Sequence, residues 1–182
     1  MKATGIVRRI DDLGRIVIPK EIRRTQRIRE GDPIEIFTNR EGEIMLKKYS
    51  PIGDLSDFAS DYAESLAQTT GGMACVTDRD MVIAAAGPKK KEYEGKPLTK
   101  ELELLMERRG TVLGTVRDGT YMKLVEDAKE DFETDAVATI ICNGDCIGAV
   151  AICGKIEEEW KEKSILQLVQ TAGSFIGKQL ES

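Results

Sequence analysis

The sequence predicts two modules of different class: an all-β head over residues 1–50 and an α+β body over residues 56–182, with a linker at 51–55 between them. Three observations lead there. The charge is divided: residues 1–50 hold 12 Lys+Arg and 8 Asp+Glu, the remainder 15 and 24, so a basic head sits on an acidic body in a chain of net charge −5. The head alternates short β-branched stretches with turn residues. The body opens and closes on amphipathic helical stripes with strand-like runs between them.

In the head, residues 4–10 (TGIVRRI) read as a strand, Asp11, Asp12, Leu13 and Gly14 as a turn, and residues 15–18 (RIVI) as a second strand. Pro19 cannot donate to a ladder, so it closes that strand and presets φ for a helical turn over residues 20–28. Gly31-Asp32-Pro33 is a breaker, and residues 34–37 (IEIF) and 44–49 (IMLKKY) are two further strands joined across Asn39-Arg40-Glu41-Gly42. A unit this short buries too little surface to stand alone without disulfides, metal or a partner copy. Its first two strands carry apolar residues on both parities: Ile6 and Ile10 against Val7, Ile16 and Ile18 against Val17. A sheet buried on both faces reads this way, and an intertwined second copy would supply the second face.

In the body, a helix opens near Asp54 with Leu55, Phe58, Ala59, Tyr62, Ala63 and Leu66 on one stripe and ends at Gly71-Gly72. Residues 73–77 and 81–86 are strands turning at Asp78-Arg79-Asp80, residues 98–109 are helical, and 111–125 hold one strand or two. Residues 136–142 (AVATIIC) and 146–153 (CIGAVAIC) form a hairpin around Asn143-Gly144-Asp145. A last helix runs from about 157 to 180 on the stripe Ile165, Leu168, Val169, Ala172 and Ile176, with Glu157 paired to Lys161 and Glu159 to Lys163. An antiparallel sheet bracketed by helices is an α+β arrangement, and both end helices have stripes wide enough to meet a partner subunit.

Composition excludes several classes of function. The chain has no histidine, which removes Ser-His and Cys-His catalysis and the commonest zinc ligand. No P-loop and no GxSxG is present, so no catalytic residue, metal or cofactor is expected. Cys75, Cys142, Cys146 and Cys153 show no CxxC spacing and read as small core residues of a reduced compartment, with redox or metal sensing as the alternative. No apolar run is long enough to span a membrane and the N-terminus lacks a secretory h-region, so a cytoplasmic protein is expected.

The head's cations are clustered. On a helix after Pro19, Lys20, Arg23, Arg24 and Arg27 fall at i, i+3, i+4 and i+7 on one face, with Ile22 opposite; Arg8, Arg9 and Arg15 lie on the neighbouring strands. Four like charges on one face repel by about 0.2–0.5 kcal/mol per i,i+4 pair. A solvated face fits this spacing as well as an anion-binding one. The clustering favours the second, because the guanidinium fork bonds phosphate bidentately and also reads guanine O6/N7.

The run RRIDDLGRIVIPKEIRR, followed by IREGDPIEIF and IMLKKY, closely resembles the AbrB-type swapped-hairpin DNA-binding domain over residues 1 to about 50. The resemblance implies a homodimer in which two chains interleave hairpins into one barrel. It implies double-stranded DNA as partner and Arg8, Arg15, Arg23 and Arg24 as the contacting residues, with Arg9, Lys20 and Arg27 as weaker candidates. Gln26 departs from the family's leucine and lies on the apolar side of the wheel, where an amide needs a partner or exposure. The body resembles a GAF domain, which implies room for a small-molecule effector, although no residue set marks an effector site; an oligomerisation platform is the other reading, and the apolar stripes of the C-terminal helices would extend it to a tetramer. This pairing of domains resembles the sporulation regulators of endospore-forming bacteria. It implies an activator and repressor acting on the nucleoid, including that of the forespore. Antitoxins share the head's fold and are the alternative; the long folded body, in place of a toxin-binding tail, counts against them. Lys89, Lys90 and Lys91 form a basic loop tip, solvated or an accessory DNA contact. Asp78 with Asp80, and Glu157 with Glu159, read as turn and helix-start residues.

Overall fold

The computed structural model describes residues 4–128, 132–154 and 162–181. The chain divides into two compact units, Met1–Tyr49 and Ser50–Ser182.

In the first unit, Pro19 opens a short helix, α1 (Lys20–Thr25), and an antiparallel hairpin follows, β1 (Ile34–Thr38) with β2 (Ile44–Lys48). The hairpin's register runs from Ile34↔Lys48 to Thr38↔Ile44. Asn39 shapes its turn: its side-chain oxygen accepts the Glu41 and Glu43 amides at 3.0 and 2.9 Å, and Gly42 takes the φ of +80° that closes the loop. The segments expected as strands, 4–10 and 15–18, join no ladder. Strand geometry needs a neighbour to receive its amides, and beyond the Asp11 amide on the Arg15 carbonyl at 3.0 Å no ladder among the described residues forms there. The same shortfall shows in burial. Among the unit's described residues only Pro19 is buried, while Val7 is 87%, Val17 73%, Ile44 69% and Ile36 65% exposed. An isolated two-stranded hairpin is marginal in water, so this unit has the pattern of a core without the core.

The second unit is a five-stranded antiparallel sheet in the order β4-β3-β7-β6-β5. The strands are β3 (Met73–Thr77), β4 (Val82–Ala86), β5 (Thr111–Thr115), β6 (Thr134–Cys142) and β7 (Asp145–Gly154). One face packs on α2 (Pro51–Asp54), α3 (Ser56–Thr70) and α6 (Glu162–Gln179) through Ile52, Ala63, Leu66, Val169 and Ile176. The other packs on α4 (Lys90–Tyr93), α5 (Lys100–Glu107) and the segment 116–128 through Tyr93, Leu102, Met106 and Leu124. Both faces of the central strands are therefore buried. That is why AVATIIC and CIGAVAIC read as continuous apolar runs. On α6, a methyl group added at Gly173 would lie 2.9 Å from the Thr139 carbonyl oxygen and one at Gly177 2.0 Å from that of Ile141. Helix and sheet approach there backbone to backbone.

The structure sharpens three of the expectations. The segment 51–55, read as a linker, is a helical turn: Ser50 caps it by accepting the Gly53 amide at 3.1 Å, Pro51 takes the first position, and Ile52 enters the core. Residues 111–125 hold one strand, β5, and then irregular chain. The basic tip at Lys89–Lys91 belongs to a turn of helix, with Lys89 at φ +61° and its ammonium 5.7 Å from the Phe132 ring centre. The pairs Glu157 with Lys161 and Glu159 with Lys163 rest on residues outside those described. All four cysteines are free; Cys75, Cys142 and Cys153 are buried, and burial pushes the Cys75 thiol up to about 12.

Candidate nucleic-acid interface

The turn between the two extended segments is set by Asp11. Its Oδ1 accepts the Arg15 and Leu13 amides at 2.7 and 3.0 Å, its Oδ2 takes the Arg15 guanidinium Nε at 2.7 Å, and Gly14 supplies φ +75°. The Arg15 amide first and its guanidinium second hold the Asp11 carboxyl below its ordinary value. Arg15 is thereby oriented but stays 70% exposed on its side chain, open to an external anion.

On α1, Lys20, Arg23 and Arg24 are exposed and keep their helical spacing. Arg27 leaves that face. The helix stops at Thr25; Arg27 adopts φ +52°, and the Ile28 amide reaches back to the Arg23 carbonyl at 2.7 Å. This left-handed C-terminal closure usually employs glycine. Lys48 on β2 then donates to the Arg27 carbonyl at 3.1 Å and pairs at 3.0 Å with Asp32, whose side chain is 1% exposed and also accepts the Arg29 amide at 2.7 Å. The breaker at 31–33 thus pins the end of α1 to the hairpin, a role no local sequence signal announces. Gln26 sits at the helix C-cap and is exposed, so its amide needs no internal partner.

Arg8 and Arg9, with Arg15, Lys20, Arg23 and Arg24, make six exposed cations on one turn, one short helix and the extended segment before them. Among the described residues no group of three or more cysteines or acids is placed to hold a metal. The arrangement suits an extended polyanion bound by charge and by guanidinium forks.

Comparison with known proteins agrees with both units. Residues 54–181 match the family described as stage V sporulation protein T C-terminal, transcription factor, and residues 7–54 match antidote-toxin recognition MazE, bacterial antitoxin. Stage V sporulation protein T of Bacillus subtilis (strain 168) is 50% identical over 181 residues, covering 100% of this chain and 99% of that protein. The transition state regulatory protein AbrB of the same strain is 52% identical over 63 residues, 31% of this chain and 65% of its own length. The GAF domain of an Acinetobacter phosphoenolpyruvate-protein phosphotransferase superposes with a TM-score of 0.56 over 74% of this chain and 84% of its own, at 10% identity, a likeness of fold alone.

A head of AbrB type together with an α+β, GAF-like body defines a transcription regulator. The chain belongs to the stage V sporulation protein T family, and its function is the regulation of transcription in sporulation. The antitoxin likeness is confined to the head, whereas the identity to the sporulation regulator runs through both units.

Proposed function

We propose that two chains interleave residues 1–50 into one barrel and present Arg8, Arg15, Arg23 and Arg24 from each copy to double-stranded DNA, with Arg9 and Lys20 in weaker contact. One observation carries this reading: the head's exposed cations sit on a unit whose apolar residues are almost all uncovered. A second copy covers those residues and doubles the charge in a single step. Binding then draws affinity from counter-ion release and specificity from a few arginine–base contacts together with DNA shape. A two-fold protein favours a near-palindromic operator.

The body, residues 56–182, assembles and senses. Phe58, Tyr62 and Phe175 form an aromatic group with ring centres 5.8–6.2 Å apart, and Phe175 is 43% exposed. α3 and α6 are in this reading the surface that joins two dimers into a tetramer. The protein works in the cytoplasm on the nucleoid, the forespore included. No described helix is long and apolar enough to cross a membrane.

The test is a gel shift at fixed ionic strength with sizing of the same samples. Arg23→Ala and Arg24→Ala each abolish tight operator binding and leave the dimer intact. Where both copies touch phosphate, each substitution lowers the salt slope by about 2. Unchanged affinity refutes the assignment.

A further inference from the structure

The second unit buries a carboxylate that its own fold does not fully employ. Asp135 lies on β6, paired with Cys153 of β7 and Gly114 of β5, and is wholly excluded from solvent. Its Oδ1 accepts the Met122 amide at 2.9 Å. Its Oδ2 meets no donor among the described residues. Buried polar atoms are nearly always paired, and a buried carboxylate without a counter-charge is among the costliest exceptions. Burial raises the Asp135 pKa to about 6, against the pull of the Met122 amide, so the group is still largely ionised at neutral pH.

Its surroundings resemble a recognition site more than a structural knot. Beneath it the sheet offers small side chains: Cys75, Ala149, Ala151 and Cys153. At Gly114 a methyl group would lie 2.6 Å from Asp135 Oδ1. Beside it, the Tyr93 and Tyr121 hydroxyls are hydrogen-bonded to each other, and Tyr121 feels the Asp135 charge. Tyr121 is only partly buried. It belongs to the segment 116–128, which has no helix or strand of its own. That segment is tied down by the Asp135–Met122 bond, by the Leu98–Val125 bridge, and by Thr99, whose amide and hydroxyl reach the Leu124 and Lys123 carbonyls at 3.0 and 2.6 Å. Further amides, Val116 to the Glu133 carbonyl at 2.8 Å and Thr120 and Tyr121 to that of Thr115 at 3.0 Å each, hold its first half, so a guest displaces the Tyr121 side chain and leaves this backbone in place.

We propose that Asp135 is the recognition carboxylate of an effector site, taking a small molecule with an ammonium or amide N–H donor and a short apolar body, lodged where the Tyr121 side chain now lies. The inference rests on reading the second unit as a sensing domain. The donor completes Oδ2, an ammonium also neutralises the charge, and the apolar body takes the place of the ring against the core. An anionic ligand would meet like charge and is rejected.

The experiment is ligand-observed NMR on the full-length protein with three matched probes: isobutylammonium, isovaleramide and isovalerate. The first two bind, and isovalerate binds about tenfold more weakly or worse. Asp135→Asn weakens isobutylammonium by about tenfold. Tyr121→Ala, which opens the space without touching the carboxylate, strengthens both donor-bearing probes and carries the test if Asp135→Asn does not fold. Equal binding of isovalerate, or no binding to wild type and Tyr121→Ala at roughly 10 mM probe, overturns the proposal. A ligand retained in native mass spectrometry and held equally by Asp135→Asn overturns the Asp135 assignment and leaves the sensing reading standing.

Discussion

Replacing Asp135 by asparagine removes a charge while keeping the shape and the acceptor for the Met122 amide. The folded carboxyl titrates at about 6 against an ordinary 3.8, a difference on the order of 3 kcal/mol between its protonated and ionised forms. A raised acidic pKa means the folded state holds the proton more tightly. The stabilisation is therefore fully present below the ordinary value and is lost as pH rises through about 6. Asparagine mimics the protonated form at every pH. The variant is expected to exceed wild type by on the order of 2–3 kcal/mol at about pH 7.5 and to match it near pH 4. Urea unfolding followed by circular dichroism resolves this: with a slope of about 2 kcal/mol per molar, the neutral-pH midpoint moves up by about 1 M while the slope is unchanged. A variant that parallels wild type across that range, or is less stable at neutral pH, refutes the account of Asp135 as a buried charge lacking a partner.

Other expectations follow from particular contacts. Gly177→Ala forces a methyl against the Ile141 carbonyl and lowers stability by about 3 kcal/mol in the same urea assay, since backbone cannot step aside as a side chain does. Lys48→Met takes a cation from the nearly inaccessible Asp32 carboxylate and costs about 3 kcal/mol, seen as a fall in the thermal midpoint of the head at fixed chain concentration. Arg27→Gly removes the side chain from a left-handed position and raises that midpoint, a gain of about 1 kcal/mol.

The parts of the fold legible in the sequence are those whose burial is settled by neighbours a few residues away. Asn143 and Gly144 both take positive φ, as their hairpin signal requires, and the stripe from Ile165 to Ile176 faces the sheet. What stayed hidden depends on distant partners. The segments 4–10 and 15–18, read as strands, join no ladder in the single chain. Asp32 reads as part of a turn until Lys48 arrives beside it. Asp135, at the head of an apolar strand, looks like one more turn residue, and only the sheet and the segment 116–128 together bury it. The helical wheel carried Arg27 too far because its left-handed closure lacks the glycine that would have marked it. Ser50 followed by Pro51 did mark the start of α2, and the short run after it masked the signal.

The uncovered apolar side chains of the first unit give abundance a voice in regulation. When two copies must meet before either head has an interior, the population able to occupy an operator falls with the square of the chain supply in dilute conditions. On the proposed dimer, such a molecule counts its own copies: silent while scarce, it commits once synthesis outpaces dilution, whatever the second unit adds.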